Sequence, residues 1–355
     1  MKRTAIYCLV FVLTAMSAIL YYSASKIIVV ADVAQDEVAQ NTDSTIEAPV
    51  GIAVLEDKNH INIDRGNQNT NYFCIPMPED VRVEEVTIEN HYMDRELWVN
   101  IEPKDMDGRE TFYEENGVYG NCTDVLTGHF DVEKDKICLR FELTDVYEYH
   151  SIFEDNTLYV EFMTPKESYD KIIVIDPAYG LNDMGVSVNG VNAKDITLEI
   201  AKALKAKLDE TDIKVYYTRM DDSNPSMDSR VELAADTKAD MLIRIEVGSA
   251  ESSKQYGTEA IYNSRFFIPG FGSVELADIL EREVVTAISG KANGLLEAAG
   301  EDVVINNATV PAATIKVGYL TNGQEYILLQ REDYIQRIAE GIYQAVIKAY
   351  EEQGK

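Results

Sequence analysis

Residues 173–208 read IVIDPAYGLNDMGVSVNGVNAKDITLEIAKALKAKL, and this stretch decides the fold. Together with Lys171 and Ile172, the opening residues form a short, unbroken apolar run of the kind a strand shows when both its faces are buried. A turn rich in Gly, Asn and Asp follows. From Ala193 the apolar residues recur at helical spacing through Ile196, Ile200, Leu204 and Leu208, which predicts an amphipathic helix.

Outward from this unit the same alternation repeats. IKVYYTR (213–219), MLIRIEV (241–247), TEAIYN (258–263) and AATIKVGYL (312–320) read as strands. MDSRVELAADTKA (227–239), SVELADILEREVVTAI (273–288) and a closing segment over 331–352 read as helices. Strands separated by helices predict an α/β domain over 169–355, its sheet covered by helices on both faces. Ligands are then expected off the carboxyl ends of the strands.

The preceding region, 51–168, has a different texture. HINID, VEEVTIE, ELWVNIEP, KICLRFEL and TLYVEFM run in β-branched and aromatic residues and are separated by turn clusters, which predicts an all-β domain. Its histidines, His60, His91, His129 and His150, show no ligand spacing. Trp98 and the many tyrosines are expected as cross-strand pairs, with a sugar platform as the less favoured reading. Charge also divides the chain, with 33 acidic and 11 basic residues in 26–170 against 29 and 19 in 171–355. The overall net charge of -30 would repel a phosphate backbone, so nucleic acid is excluded as a partner.

At the amino terminus, Lys2 and Arg3 precede 22 uncharged residues, Thr4 to Ser25, about the length that spans a bilayer. We read 1–31 as a transmembrane signal anchor with the bulk of the chain extracytoplasmic, in the cell envelope. A signal peptide cleaved after Ser23-Ala24-Ser25 is the alternative. Residues 32–50 are polar and acidic and read as a flexible linker. Three cysteines, Cys74, Cys122 and Cys138, fall outside the span; a Cys122–Cys138 bridge and three half-buried thiols are both open.

Five stretches, 173–208, 218–234, 241–249, 257–263 and 311–325, together resemble, in order, the catalytic domain of zinc-dependent N-acetylmuramoyl-L-alanine amidases. The resemblance implies a mixed sheet with helices on both faces, and hydrolysis of the amide joining muramic acid to the stem peptide of peptidoglycan. It also implies four motifs: a DPGHGG-like turn, an NGxxEK-like segment, SIHxN and VExGFxSN. The two His and the first Glu hold zinc, and the last Glu is the general base. The segment 136–163 is also similar, more weakly, to the AMIN-type β domains that target some of these enzymes to the envelope.

In this sequence all four positions are changed. Tyr179 stands in the first His slot, Ala193 in the Glu slot, Glu246 in the second His slot and Lys316 in the general-base slot. Phenol is a poor zinc ligand at neutral pH, alanine offers no donor, and lysine brings positive charge toward a dication. Residues 171–355 also contain neither His nor Cys, so no His-bearing metal site and no Ser-His or Cys-His pair can be assembled there. Asp176, Asp183, Glu246 and Glu259 are the carboxylates expected near the cleft, as a new acid/base or cation set or as chance acidic residues. A Lys316–Glu246 ion pair is expected where the metal once was.

The expectation is therefore a catalytically inactive, membrane-anchored member of the family, with no cofactor, that binds peptidoglycan or regulates its hydrolysis. Another wall hydrolase or a division protein is a candidate partner. The alternatives are an active N-acetylmuramoyl-L-alanine amidase with a non-standard metal site and a structural envelope spacer.

Overall fold

A computed structural model describes residues 59–355, apart from 67–69, 80, 105, 107, 108, 110, 134, 266 and 267. The expected anchor 1–31, the linker 32–50 and the first residues of the β domain lie outside the described residues. Among those described, no helix is long and apolar enough to cross a membrane.

Among the described residues, eight strands precede residue 170: β1 (Phe73–Pro76), β2 (Val86–His91), β3 (Glu96–Ile101), β4 (Tyr119–Gly120), β5 (Val125–Val132), β6 (Ile137–Leu143), β7 (Glu148–Glu154) and β8 (Thr157–Met163). They pair antiparallel into two four-stranded sheets, β4-β1-β8-β7 and β2-β3-β6-β5. Alternate residues of both sheets, Phe73, Ile75, Leu158 and Val160 from one and Leu97, Val99, Leu139 and Phe141 from the other, share a single core. Two inner faces meeting over one core make a sandwich. The expected strand HINID instead makes only isolated bridges, His60 with His129 and Ile63 with Val118. Cys74, Cys122 and Cys138 are buried free thiols, so no bridge joins Cys122 to Cys138. Trp98 is an in-sheet partner, with the His91 ring stacked on it at 4.0 Å and the Arg140 guanidinium 4.6 Å from its centroid.

Beyond 170 come β9 (Ile172–Pro177), a small hairpin of β10 (Ser187–Val188) and β11 (Val191–Asn192), β12 (Lys214–Tyr217), β13 (Met241–Gly248), β14 (Thr258–Tyr262), β15 (Ala292–Glu297) and β16 (Ala312–Tyr319). The main sheet has the order β12-β9-β13-β16-β14-β15. Its first four strands are parallel, β14 runs antiparallel to β16, and β15 follows β14. The sheet is mixed, as expected. Among the described residues of the first half of the chain there are two short helices, α1 (Phe112–Glu115) and α2 (Pro165–Ser168). The second half carries α3 (Ala193–Leu208), α4 (Met227–Asp236), α5 (Ser273–Ile288), α6 (Val303–Asn307), α7 (Gly323–Leu328) and α8 (Glu332–Gln353).

Strand alternation sends successive side chains to opposite faces. Ile173, Ile175, Ile243, Ile245, Ile315 and Val317 pack against α3, α5 and α8. Ile172, Val174, Leu242 and Ala312 pack on the other face, against Leu233 and Ala234 of α4 and Val304 and Ile305 of α6. The sandwich joins this second face, contributing Val146 to the same core with Tyr92, Met93 and Tyr169 beside it.

The change of texture expected near 170 falls at α2, yet the described residues from 59 to 355 belong to one compact unit. The Tyr92 hydroxyl donates to the Tyr217 carbonyl at 2.9 Å and accepts from the Tyr217 amide at 3.1 Å, satisfying both main-chain groups of that residue at the end of β12. Glu148 accepts from the Tyr216 hydroxyl at 2.5 Å and pairs with Lys214 at 2.7 Å, while Arg95 pairs with Asp236 at 2.7 Å.

Candidate functional site

β9 ends in Asp176-Pro177, and the chain turns sharply at Tyr179, whose φ of 70° is left-handed. Two buried arginines hold this turn. Arg219 donates from Nε to the Pro177 carbonyl at 2.9 Å and from Nη2 to the carbonyls of Ala178 and Lys194 at 2.9 and 2.8 Å. Arg230, from α4, donates from Nη2 to the Tyr179 carbonyl at 3.0 Å. Backbone strain at a non-glycine residue persists only where the surroundings over-determine it, and these bonds do so. The Tyr179 ring lies over Gly185, where an added Cβ would stand 2.6 Å from its Cδ2.

Beneath the turn sits a charge network. Asp176 is fully buried and accepts from the guanidinium groups of Arg230 and Arg244 and from the Thr218 hydroxyl, the last at 2.5 Å. Burial alone would raise its pKa, but the two arginines outweigh it and hold the carboxyl below the usual range. Arg244 is the register partner of Asp176 across β13 and β9. Its Nε donates to Glu246 at 2.9 Å. Burial opposes its charge, but Asp176 and Glu246 prevail and raise its pKa.

The four substituted slots fare differently. Tyr179 and Glu246 face one cavity of about 190 Å³. Burial, reinforced by the negative charge of Glu246, pushes the Tyr179 phenol well above its ordinary pKa, so it stays protonated. Ala193 opens α3, is completely buried and belongs to the apolar core. Lys316 is occupied elsewhere: its Nζ donates to Glu259 at 2.7 Å, and the Tyr319 hydroxyl donates to the other Glu259 oxygen at 2.7 Å. Burial and that bond push the Tyr319 pKa up to about 12.

The expected Lys316–Glu246 pair is therefore corrected. Glu246 and Lys316 are aligned across β13 and β16, but Lys316 is also directly opposite Glu259 on antiparallel β14. Arg244, two residues before Glu246 on the same face of β13, reaches Glu246 first. The expected grouping of carboxylates is corrected too. Asp176 and Glu246 are bridged by Arg244, Glu259 is held by Lys316 and Tyr319, and Asp183 accepts from the Gly185 amide at 3.1 Å, closing its own turn.

Among the described residues, no group of three or more His, Cys, Asp or Glu side chains could hold a metal ion. The donors in the slots do not fit zinc: a protonated phenol, a methyl group, a carboxylate already paired with arginine and a lysine paired with glutamate. The sequence reading missed Arg244, although a charged residue two places before Glu246, in an otherwise apolar strand, marks both as facing the same way.

Residues 173–348 match the family model Amidase_3, described as N-acetylmuramoyl-L-alanine amidase. Uncharacterized protein YqiI of Bacillus subtilis (strain 168) is 28% identical over 182 residues, which cover 51% of this chain and 86% of that protein. N-acetylmuramoyl-L-alanine amidase LytC of the same organism is 26% identical over 178 residues, covering 50% of this chain but only 35% of LytC. The crystal structure of N-acetylmuramoyl-L-alanine amidase from Clostridium difficile 630 is 31% identical, covers 52% of this chain and 98% of that chain, and has a TM-score of 0.48. Through its α/β half, this chain belongs to the N-acetylmuramoyl-L-alanine amidase family.

Proposed function

We propose that this chain is a non-hydrolytic member of the family, held outside the cell by its amino-terminal segment, that binds peptidoglycan at the carboxyl edge of its sheet. The observation that carries the reading is the Asp176–Arg244–Glu246 network, which places a guanidinium among the slots from which the family's metal would be held. An arginine that keeps its charge at any physiological pH repels a dication and cannot act as a base. The turn that presents Tyr179 is nonetheless held firmly, and the cavity beside it is open. A maintained opening favours binding over a purely structural spacer. A second wall hydrolase brought to the same polymer is a partner compatible with this role.

The test supplies zinc to the full-length chain and measures three things together: bound metal, release of stem peptides from muropeptides, and co-sedimentation with purified sacculi. The expected outcome is sedimentation above a control protein, with no stoichiometric zinc and no release. One zinc per chain together with peptide release would establish the active amidase instead. Failure to sediment would leave the spacer.

A further inference from the structure

Resting on that reading, we infer that the cavity beside Tyr179 recognises the free amino end of a peptide, the group that amide hydrolysis liberates, in preference to the intact amide. Tyr179, Met227, Arg244, Glu246, Glu301 and Asp302 line the cavity. Arg244 is only 6% exposed and commits Nε to Glu246 and Nη1 to Asp176. Among the described residues nothing takes its Nη2, and nothing takes the Tyr179 hydroxyl, so each is a donor without an acceptor.

The acceptors are equally incomplete. Glu246 uses Oε1 for Arg244, and Asp302 uses Oδ2 for the Ala299 amide at 2.7 Å, while the Glu301 carboxylate accepts nothing among the described residues. Arg230 offsets Asp176, and Arg244 offsets one of the three carboxylates, so the lining is left negative. A complementary ligand brings a positively charged, multiply donating group and, close beside it, a carbonyl oxygen for the two free donors. The α-ammonium of a peptide and its first carbonyl have that arrangement. An intact amide has one neutral N–H and would leave charged carboxylates desolvated without a partner, which is costly. The chain would thus recognise what an amidase produces, placing it after amide hydrolysis.

The test is calorimetric titration of the full-length chain with alanyl-alanine amide and with its N-acetyl form, beside sedimentation with sacculi. The free amine is expected to bind at least about tenfold more tightly than the acetylated form, the scale of losing a charged hydrogen-bonding partner. Asp302→Asn and Tyr179→Phe, with unfolding temperatures unchanged, are each expected to weaken the free amine by about fivefold or more. Equal affinity for the two peptides overturns the inference, as does undiminished binding in both variants. No peptide binding while sacculi still sediment overturns this inference alone; loss of both overturns the reading beneath it as well.

Discussion

Arg244 is the residue on which the departure from metal chemistry turns, because it stands where the family pattern SIHxN has serine. Its Nε lies 2.9 Å from Glu246, the second His slot. A dication held from that slot would lie beside a buried guanidinium. The two positive charges repel, and in a buried site that repulsion is screened less than in water, so metal affinity falls. Restoring all four slots with Tyr179→His, Ala193→Glu, Glu246→His and Lys316→Glu is therefore expected to give a protein that retains little zinc after dialysis, measured by elemental mass spectrometry. Adding Arg244→Ser is expected to bring zinc close to one per chain. Equal zinc content in the two variants would show that Arg244 is no obstacle. The slots themselves were legible in the sequence through its resemblance to the family's four motifs, in DPAYGL, NGVNAK, RIEVG and TIKVGYLTN. The side-chain partners were not, because Lys316 has two carboxylates across its two neighbouring strands, Glu246 and Glu259, and only three-dimensional placement chooses between them.

At the scale of the element, the closing helix α8 packs on α5 through Gly341. A Cβ added there would meet the Val284 Cα at 2.6 Å and the Glu283 carbonyl oxygen at 3.0 Å. Helix propensity alone favours alanine over an internal glycine by about 1 kcal/mol. Here the obstacle is backbone, which cannot swing aside as a flexible side chain would, and overpacking of this kind costs about 1–3 kcal/mol. Gly341→Ala is expected to lower the unfolding temperature by a few degrees, whereas Gly323→Ala, at the start of α7 with nothing within 4 Å, leaves it nearly unchanged. A rise in unfolding temperature for Gly341→Ala would mean that the two helices separate easily. The long helices were legible because their apolar period is sustained over 16 to 22 residues. Edge strand β15, reading ANGLLE, escaped notice because a glycine interrupts it and it buries little, so it offers neither alternation nor an apolar run. HINID misled in the opposite direction: its alternating pattern is that of a strand, but continuous pairing depends on neighbours that a local pattern does not specify.

For the whole molecule the decisive contact joins the sandwich to the α/β half. Domains within a chain usually meet through modest, polar interfaces and move independently. Here both halves are acidic, with net charges of -22 over 26–170 and -10 over 171–355, so long-range repulsion opposes docking. The junction answers locally, setting Arg95 of the sandwich on Asp236 and Lys214 of the α/β half on Glu148, while Tyr92 satisfies both main-chain groups of Tyr217. Val146 enters the core of the other half beneath these bonds. The arrangement predicts one cooperative transition, and the composition supplies a clean probe, since Trp98, the only tryptophan in the chain, lies in the sandwich, whereas the long helices lie in the α/β half. Heat unfolding followed by tryptophan fluorescence and by helical circular dichroism is expected to give coincident midpoints. The combined variant Tyr92→Phe, Arg95→Ala, Glu148→Gln is expected to separate them by several degrees. Separate midpoints in the unaltered chain would mean that the junction does not couple the halves. Coincidence in the variant as well would place the coupling in the apolar contact of Val146, Met93 and Tyr169 instead.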